Sequence, residues 1–468
     1  MTGKRKRKLA MPDTLIIVAS VVLLVAILSW IIPSGTYDYQ EMNINGRIRN
    51  VAIDGTYHTI DKSEVTTTGF LGFFSVLYRG CVEAADVIFM ILCCCGTFGV
   101  VVKTGAFHAG IGTILKKLKG KEILLVPIIM MIFGLGGSVF GMASEFYGFY
   151  PLIVGLGVAL GYDAMFGFAI IAVGEFVGFM GATLNPYSVG IAQTISGVEL
   201  YSGTGYRAIC FVIFMAISII YVMVYGRKIK KNPGASVVFG EKNIHAFDRD
   251  ELNEYSFTLK DGLVLLDVLV VLVVLMLGLI KWGWDFPQLC GLFLLMSMIA
   301  AAICKWSPNK WCSEFIDSAK TAMWGCILTG IAKAITVVMQ DARIMDTVIY
   351  GLSNVLKNAP HAVSAQVMLV VQTLINFFIP SATGQASATM PIMAQLADII
   401  GVSRQTAVLA FQFGDGLSNI FWPTADIVII CGLGGISLQK WYKWFTPLFL
   451  ILFVTQAILL GIATGIGF

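Results

Sequence analysis

Charge is scarce in this chain. Only 13% of its 468 residues are Asp, Glu, Lys or Arg. A soluble globular chain carries about 25%, so this supply cannot cover a water-facing surface of matching size. Histidine is nearly missing too. His58, His108, His245 and His361 are far apart and form no metal-ligand spacing such as HxxxH. A membrane-embedded enzyme would need a nucleophile–base pair or a metal cluster at depth, and these scattered residues offer none. No GxxxxGK[ST] occurs, which argues against ATP-driven work. The ten cysteines make no redox framework: Cys93, Cys94 and Cys95 are consecutive within an apolar run, and the rest are scattered. They read as small packing hydrophobes. The net charge of +4 is no signal for nucleic acid, because Lys4, Arg5, Lys6, Arg7 and Lys8 form one N-terminal run.

What is abundant is apolar surface. Hydrophobic residues make up 57% of the chain, and runs of 17–22 recur from end to end. Only a bilayer solvates that pattern, so the fold class is an all-α polytopic membrane protein. The first run, Thr14–Ile32, follows the basic stretch and reads as a retained helix rather than a signal peptide. Further spans are expected at 82–102, 207–226, 262–280, 288–304, 322–339 and 446–466. Segments 163–197 and 406–435 are longer and interrupted by polar residues, as broken transmembrane helices would be. Segments 122–160 and 363–400 each hold two apolar arms around a Gly/Ser-rich centre. Each arm is shorter than the ~20 residues a crossing takes, so both segments read as re-entrant hairpins.

Charge placement tests this layout. With the N-terminus inside, the inner loops hold 20 Lys and Arg and the outer loops 7. That bias fits the positive-inside rule. It gives nine crossings and two hairpins, a cytoplasmic N-terminus and an external C-terminus. A cytoplasmic (inner) membrane location is expected.

The two halves resemble each other. Pro151, Gly161 and Gly174-Glu175 recur as Pro391, Gly401 and Gly414-Asp415, all offset by 240 residues. Gly141-Met-Ala-Ser144 matches Gly384-Gln-Ala-Ser387 nearby. The expected units are residues 1–69 (first helix and outer loop), 70–226 (first repeat), 227–310 (connector and two linking helices) and 311–468 (second repeat). Five crossings separate the starts of the repeats, so the second is inverted. Inverted repeats give two nearly equivalent conformations, with a site near the bilayer midplane. This favours a carrier over a channel.

Irregular backbone at membrane depth is tolerated only where it is buried in protein or lines a wet cavity. Four such patches are expected: Gly134–Phe146, Gly181–Gly190, Pro380–Thr389 and Gly414–Asp426. Pro186 and Pro423 each remove a helix hydrogen bond. Between Ile123 and Tyr206 there is no Lys or Arg, yet Glu145 and Glu175 lie there; the second half offers Asp415 and Asp426. Intramembrane acids pair with something or line a path. Lys333 is the one basic side chain deep in a span and is an alternative partner. Candidate substrate-binding residues are Ser144, Glu145, Glu175, Asn185, Pro186, Thr383, Gln385, Ser387, Asp415, Asn419 and Thr424. Candidate positions for a coupling Na⁺ are Ser138, Gly141, Thr183, Gly384 and Ser418, with H⁺ as the alternative coupling ion and no other cofactor. The segment 34–68 holds Asn45-Gly46 and Asp54-Gly55 and is expected to form a small hairpin.

MPDTLIIVAS, GGSVFGMASEF, GYDAM, NPYSVGIAQTISGV, KKNP and LAFQFGDGLSNIFWPT together resemble the YfcC-type branch of the four-carbon dicarboxylate carrier (DcuC-like) family, within the ion transporter superfamily. The resemblance covers nearly the whole chain. It implies a homodimer in which each protomer has a scaffold and an elevator-like transport domain. It also implies a small carboxylate-bearing substrate: a C4-dicarboxylate such as succinate, or an amino acid, the branch being described as basic amino acid antiporters. Superfamily relatives carry Ser-Asn-Thr tips that bind Na⁺ and substrate carboxylate. Here the tips read Ala143-Ser144-Glu145 and Gly384-Gln385-Ala386-Ser387. A dianion beside Glu145 and Glu175, with no arginine in sequence reach, would be repelled. A zwitterion with a cationic side chain would set its carboxylate on hairpin N–H groups and its amines on the acids.

Overall fold

The computed structural model describes residues 13–44, 47–118, 122–241, 245, 256–357 and 363–468. The basic run Lys4–Lys8, the Asn45-Gly46 turn and part of the 227–310 connector lie outside the described residues. Apolar sequence becomes helix almost throughout. Helix α1 (Thr14–Ile31) is started by Asp13, whose side chain accepts from Leu15 N at 2.8 Å. It leads into strands β1 (Ser34–Thr36), β2 (Tyr39–Ile44), β3 (Arg47–Ala52) and β4 (His58–Ile60). β2 and β3 pair antiparallel with Ile44 opposite Arg47, a small hairpin within the segment 34–68 as expected.

A first run of helices follows: α2 (Phe70–Glu83), α3 (Ala85–Lys103), α4 (Ala106–Leu118), α5 (Leu125–Leu135), α6 (Phe149–Ala159), α7 (Ala164–Met180), α8 (Val189–Ile195) and α9 (Thr204–Lys231). Two linking helices come next, α10 (Leu259–Lys281) and α11 (Phe286–Ile303). Capping boxes, Thr258 with Asp261 and Asp285 with Gln288, start them. A second run then repeats the order: α12 (Pro308–Lys320), α13 (Met323–Asp341), α14 (Met345–Lys357), α15 (Ser364–Phe378), α16 (Ala382–Ile399), α17 (Arg404–Ser418), α18 (Asp426–Gly434) and α19 (Leu438–Gly465). Lengths agree as well. α3 and α13 have 19 residues each, α4 and α14 13, α9 and α19 28.

By length and composition, α1, α3, α9, α10, α11, α13 and α19 can each cross a membrane. They coincide with the seven uninterrupted spans expected from the sequence. Their outward faces carry apolar side chains that water would reject, such as Ile31 and Phe89, 71% and 62% exposed. The short helices α2, α4, α12 and α14 were not anticipated. They are 13 or 14 residues long, too short to span, and mix polar with apolar residues.

Packing places the interrupted segments at the centre. α5 and α6 flank α7, and α15 and α16 flank α17. α7 and α17 meet each other: Gln412 Nε2 donates to Phe179 O at 2.8 Å, and a Cβ on Gly416 would fall 2.8 Å from Met180 N. Around this centre, α13 packs on α1 and α2, and α3 on α11 and α12. The strand segment is tied to α14 by Asp346, whose carboxylate accepts from Tyr37 N at 3.0 Å and from Tyr39 Oη at 2.7 Å. Burial and that carboxylate push the Tyr39 phenol above its ordinary range.

Candidate functional site

Both interrupted helices break where the prolines stand. α7 stops at Met180 and the chain runs irregularly to Ser188, with Pro186 inside the gap. α17 stops at Ser418 and α18 starts at Asp426, with Pro423 between them. Freed backbone groups in the gaps find partners, as a water-poor setting demands. Ser138 O accepts from Thr183 N at 2.9 Å and Leu184 N at 3.2 Å, and Ser138 Oγ lies 3.1 Å from Thr183 Oγ1. Asn185 Oδ1 accepts from Tyr187 N at 2.9 Å and Ser188 N at 3.2 Å. In the second gap, Trp441 Nε1 donates to Ile420 O and Tyr442 Oη to Phe421 O, both at 2.8 Å.

The turn between α5 and α6 is irregular, as expected. Gly141 takes a positive φ of 69°, and a Cβ there would come within 2.7 Å of Asn185 Cγ. Glycine is thus required where this turn meets the first gap. The turn between α15 and α16 differs from expectation. Ser381 caps α16, accepting from Gly384 N at 3.4 Å, and the helix begins at Ala382. Thr383, Gly384, Gln385, Ser387 and Thr389 therefore lie on a regular helix rather than in irregular backbone. The reason is local: Ala-Thr-Gly-Gln-Ala-Ser-Ala contains no residue that forbids helix, and Pro380 sits before the cap rather than inside it. Gly414, Asp415, Gly416 and Ser418 likewise belong to the last turns of α17.

Three polar groups result. The first joins Ser138, Gly141, Thr183 and Asn185, as above. The second centres on Asn376, whose Nδ2 lies 2.8 Å from Asp415 Oδ1, 3.1 Å from Asn419 Oδ1 and 3.2 Å from Gln385 Oε1. Gln385 Nε2 in turn donates to Gln372 Oε1 at 2.7 Å. The third is acidic. Tyr150 Oη donates to Glu175 Oε2, and Tyr147 Oη to Asp426 Oδ1, both at 2.8 Å. Glu145 Oε2 accepts from Ala143 N at 3.0 Å. Glu175 lies within electrostatic reach of Asp426 and Glu145, and Asp415 within reach of Asp426.

The groups are cross-linked between the halves. Thr383 Oγ1 donates to Tyr187 O at 2.8 Å, joining the start of α16 to the first gap. The Tyr147–Asp426 bond joins the α5–α6 turn to the end of the second gap. Other candidates stay local. Ser387 Oγ donates to Thr383 O at 2.9 Å and Ser418 Oγ to Gly414 O at 2.6 Å, each within its own helix. Ser144 opens a short 3₁₀ turn, and Thr424 Oγ1 is buried without a partner.

Among the described residues no basic side chain pairs with these acids. The ion pairs among the described residues are Arg79–Asp341, Lys260–Asp261, Lys320–Asp317, Arg404–Asp398 and Lys440–Glu241, and none involves Glu145, Glu175, Asp415 or Asp426. Lys333 makes no ion pair among the described residues, so it does not take the role of partner. Nor do the described residues group three His, Cys, Asp or Glu side chains as a metal centre would. Among the acidic and amide acceptors of these three groups, Glu175 Oε1, Asp415 Oδ2 and Asn376 Oδ1 are buried and left without a hydrogen. Buried polar atoms are normally satisfied, and these three are exceptions within the groups.

Asn376, Gln372, Tyr147 and Tyr150 were missed by the sequence reading. Gln372 and Asn376 stand four apart in an otherwise apolar arm, a spacing that puts both on one helix face. That was the available signal. Nothing comparable distinguishes the two tyrosines from packing aromatics.

Residues 11–465 match the family described as C4-dicarboxylate anaerobic carrier, DcuC. YfcC of Escherichia coli (strain K12), whose name carries a provisional assignment as a basic amino acid antiporter, is 32% identical, covering 100% of this chain and 99% of its own. An uncharacterized protein of Haemophilus influenzae is 27% identical, covering 99% of each chain. The solved YdaH transporter of Alcanivorax borkumensis is similar at a TM-score of 0.42 and 15% identity, over 98% of this chain and 99% of that one.

Proposed function

The chain belongs to the C4-dicarboxylate anaerobic carrier family and is a membrane transporter, and from that premise we propose that it is a secondary carrier exchanging basic amino acids of the arginine, ornithine or lysine type across the cytoplasmic membrane. One observation carries the choice of substrate: Glu145, Glu175, Asp415 and Asp426 gather where the two halves meet, and no cation faces them among the described residues. Charges at bilayer depth cost about 2.5–3.5 kcal/mol each on insertion scales. A substrate bearing positive charge offsets that cost, whereas a dicarboxylate adds to it. The substrate's own carboxylate would sit on the first-turn N–H groups of α16, next to Thr383 and Gln385. Ser144, Asn185, Pro186, Ser387, Asn419 and Thr424 would complete the pocket wall.

The repeated helix order supports a reading of alternating access. We read the runs α2–α9 and α12–α19 as inverted copies, with α5–α6 and α15–α16 as re-entrant hairpins that move with the broken helices against the α3/α13 frame. A homodimer, an inner N-terminus and an outer C-terminus complete this reading. The family's description favours a second substrate class, the C4-dicarboxylates.

Counterflow decides between them. Proteoliposomes loaded with arginine should take up labelled arginine, ornithine or lysine saturably, and succinate-loaded vesicles should not take up succinate. Succinate exchange without amino acid exchange would overturn the assignment. Glu145→Gln and Asp426→Asn should each raise the KM for arginine about 10- to 100-fold, the effect of one hydrogen bond to a charged group, about 1.5–3 kcal/mol. Wild-type KM in both would make these acids structural.

A further inference from the structure

We propose that Glu175 carries the proton that is exchanged for the cationic substrate, an inference that deepens the reading above and rests on it. The Glu175 side chain is 0% exposed, with Tyr150 Oη on Oε2 and no partner on Oε1. An ionised carboxylate so placed, lacking both a cation and a second donor, is costly. A neutral carboxylic acid is not. Asp426 repeats the motif: it takes Tyr147 Oη at 2.8 Å and is partly accessible. Tyr147 and Tyr150 thus hold two acids within electrostatic reach of each other, and acids so placed without a base favour holding a proton.

The elements packed against α7 leave few groups to disturb this pair. α6 presents Tyr150, the turn before it Tyr147 and Glu145, and α18 Asp426. α5 and the 136–140 segment carry no ionisable side chain. On α17, Asp415 lies within electrostatic reach of Asp426. On α9, Arg207 donates to Ser202 O, Tyr221 to Trp444 O and Tyr225 to Asp163, while Tyr206 donates to Leu459 O and neighbours Cys210. When a substrate ammonium settles beside Asp426 and Glu145, its charge favours the ionised form of Glu175. The carboxyl O–H bond breaks, the proton leaves to the open compartment, and one substrate charge replaces one proton charge. Substrate release on the far side reverses the step.

The test adds arginine to purified transporter in weakly buffered detergent containing a pH dye. Wild type should release about one proton per site. Its apparent arginine affinity should fall about tenfold per pH unit once the solution is acid enough to protonate the site. Glu175→Gln should release none and bind arginine independently of pH. Glu175→Asp should restore release, and Tyr150→Phe should shift the pH at which it occurs. Release unchanged in Glu175→Gln, or wild-type arginine binding without release, overturns the proposal. A second arm needs no substrate. The infrared C=O stretch of a protonated carboxylic acid should be present in wild type at neutral pH and weaker in Glu175→Gln; a band unchanged in Glu175→Gln, or absent from wild type, also overturns the proposal. Failure of arginine counterflow with that band intact would instead reject the substrate assignment and leave the proton on Glu175.

Discussion

Asn376→Ala should reduce uptake to the level of empty liposomes. A single amide nitrogen at this position lies within hydrogen-bond distance of Asp415, Asn419 and Gln385, which belong to α17, the second gap and α16. All four side chains are buried, none more than 5% exposed. Removing the donor leaves buried acceptors unmet at about 1–3 kcal/mol each, and the amide's own volume is lost as well. Because the acceptors sit on three separate pieces of chain, the loss is felt as a loosened geometry where substrate would bind. Asn376→Asp separates the hydrogen bond from the volume. It keeps the shape, cannot donate when ionised, and adds a like charge beside Asp415. Uptake should be lost in it too, with a lower melting temperature than wild type. Full uptake by Asn376→Asp would show that the donor is not what holds the second polar group together.

Gly178→Val should leave little folded transporter. On α7, Gly174 and Gly178 are four residues apart and face α5. A Cβ on Gly178 would overlap the Gly134 carbonyl oxygen and fall 2.5 Å from Gly134 Cα, while one on Gly174 would fall 3.0 Å from Met130 Cα. These neighbours are backbone atoms, so no side-chain rotation relieves the clash. In a membrane, close approach of small residues supplies the packing that the hydrophobic effect cannot. Overpacking by a methylene already costs about 1–3 kcal/mol in a well-packed core, and a branched side chain driven into backbone exceeds that. The displaced α5 would also carry Ser138 away from the first gap. Monodisperse yield and thermal unfolding in detergent check this; a Gly178→Val protein that is as stable as wild type would mean the two helices can separate freely.

The membrane class, the seven long spans and both helix breaks were readable because each depends on a local signal. Apolar runs of spanning length mark the helices, and Pro186 and Pro423 mark the gaps. The acids stood out because charge is so scarce. Other features were not local. Helices α2, α4, α12 and α14 lack the length that a membrane-span reading looks for. The start of α16 looked irregular because glycine, serine and threonine suit both a loop and a capped helix, and Ser381 decides between them. The partners of Glu175 and Asp426 were hidden because Tyr147 and Tyr150 reach them only after α6 is laid between α7 and α18. The role of Asn376 in joining three segments is likewise a consequence of packing.

The most direct test of the mirror relation uses single cysteines and a membrane-impermeant thiol reagent on right-side-out and inverted vesicles, in a background where exposed Cys312 is replaced by serine. Ser63→Cys precedes the first run of helices and Lys231→Cys ends it; Asn309→Cys opens the second run and Ile466→Cys follows it. The account predicts labelling of positions 63 and 466 from outside and of 231 and 309 from inside, so that the two runs enter from opposite faces. Labelling of 63 and 309 from the same face would contradict it.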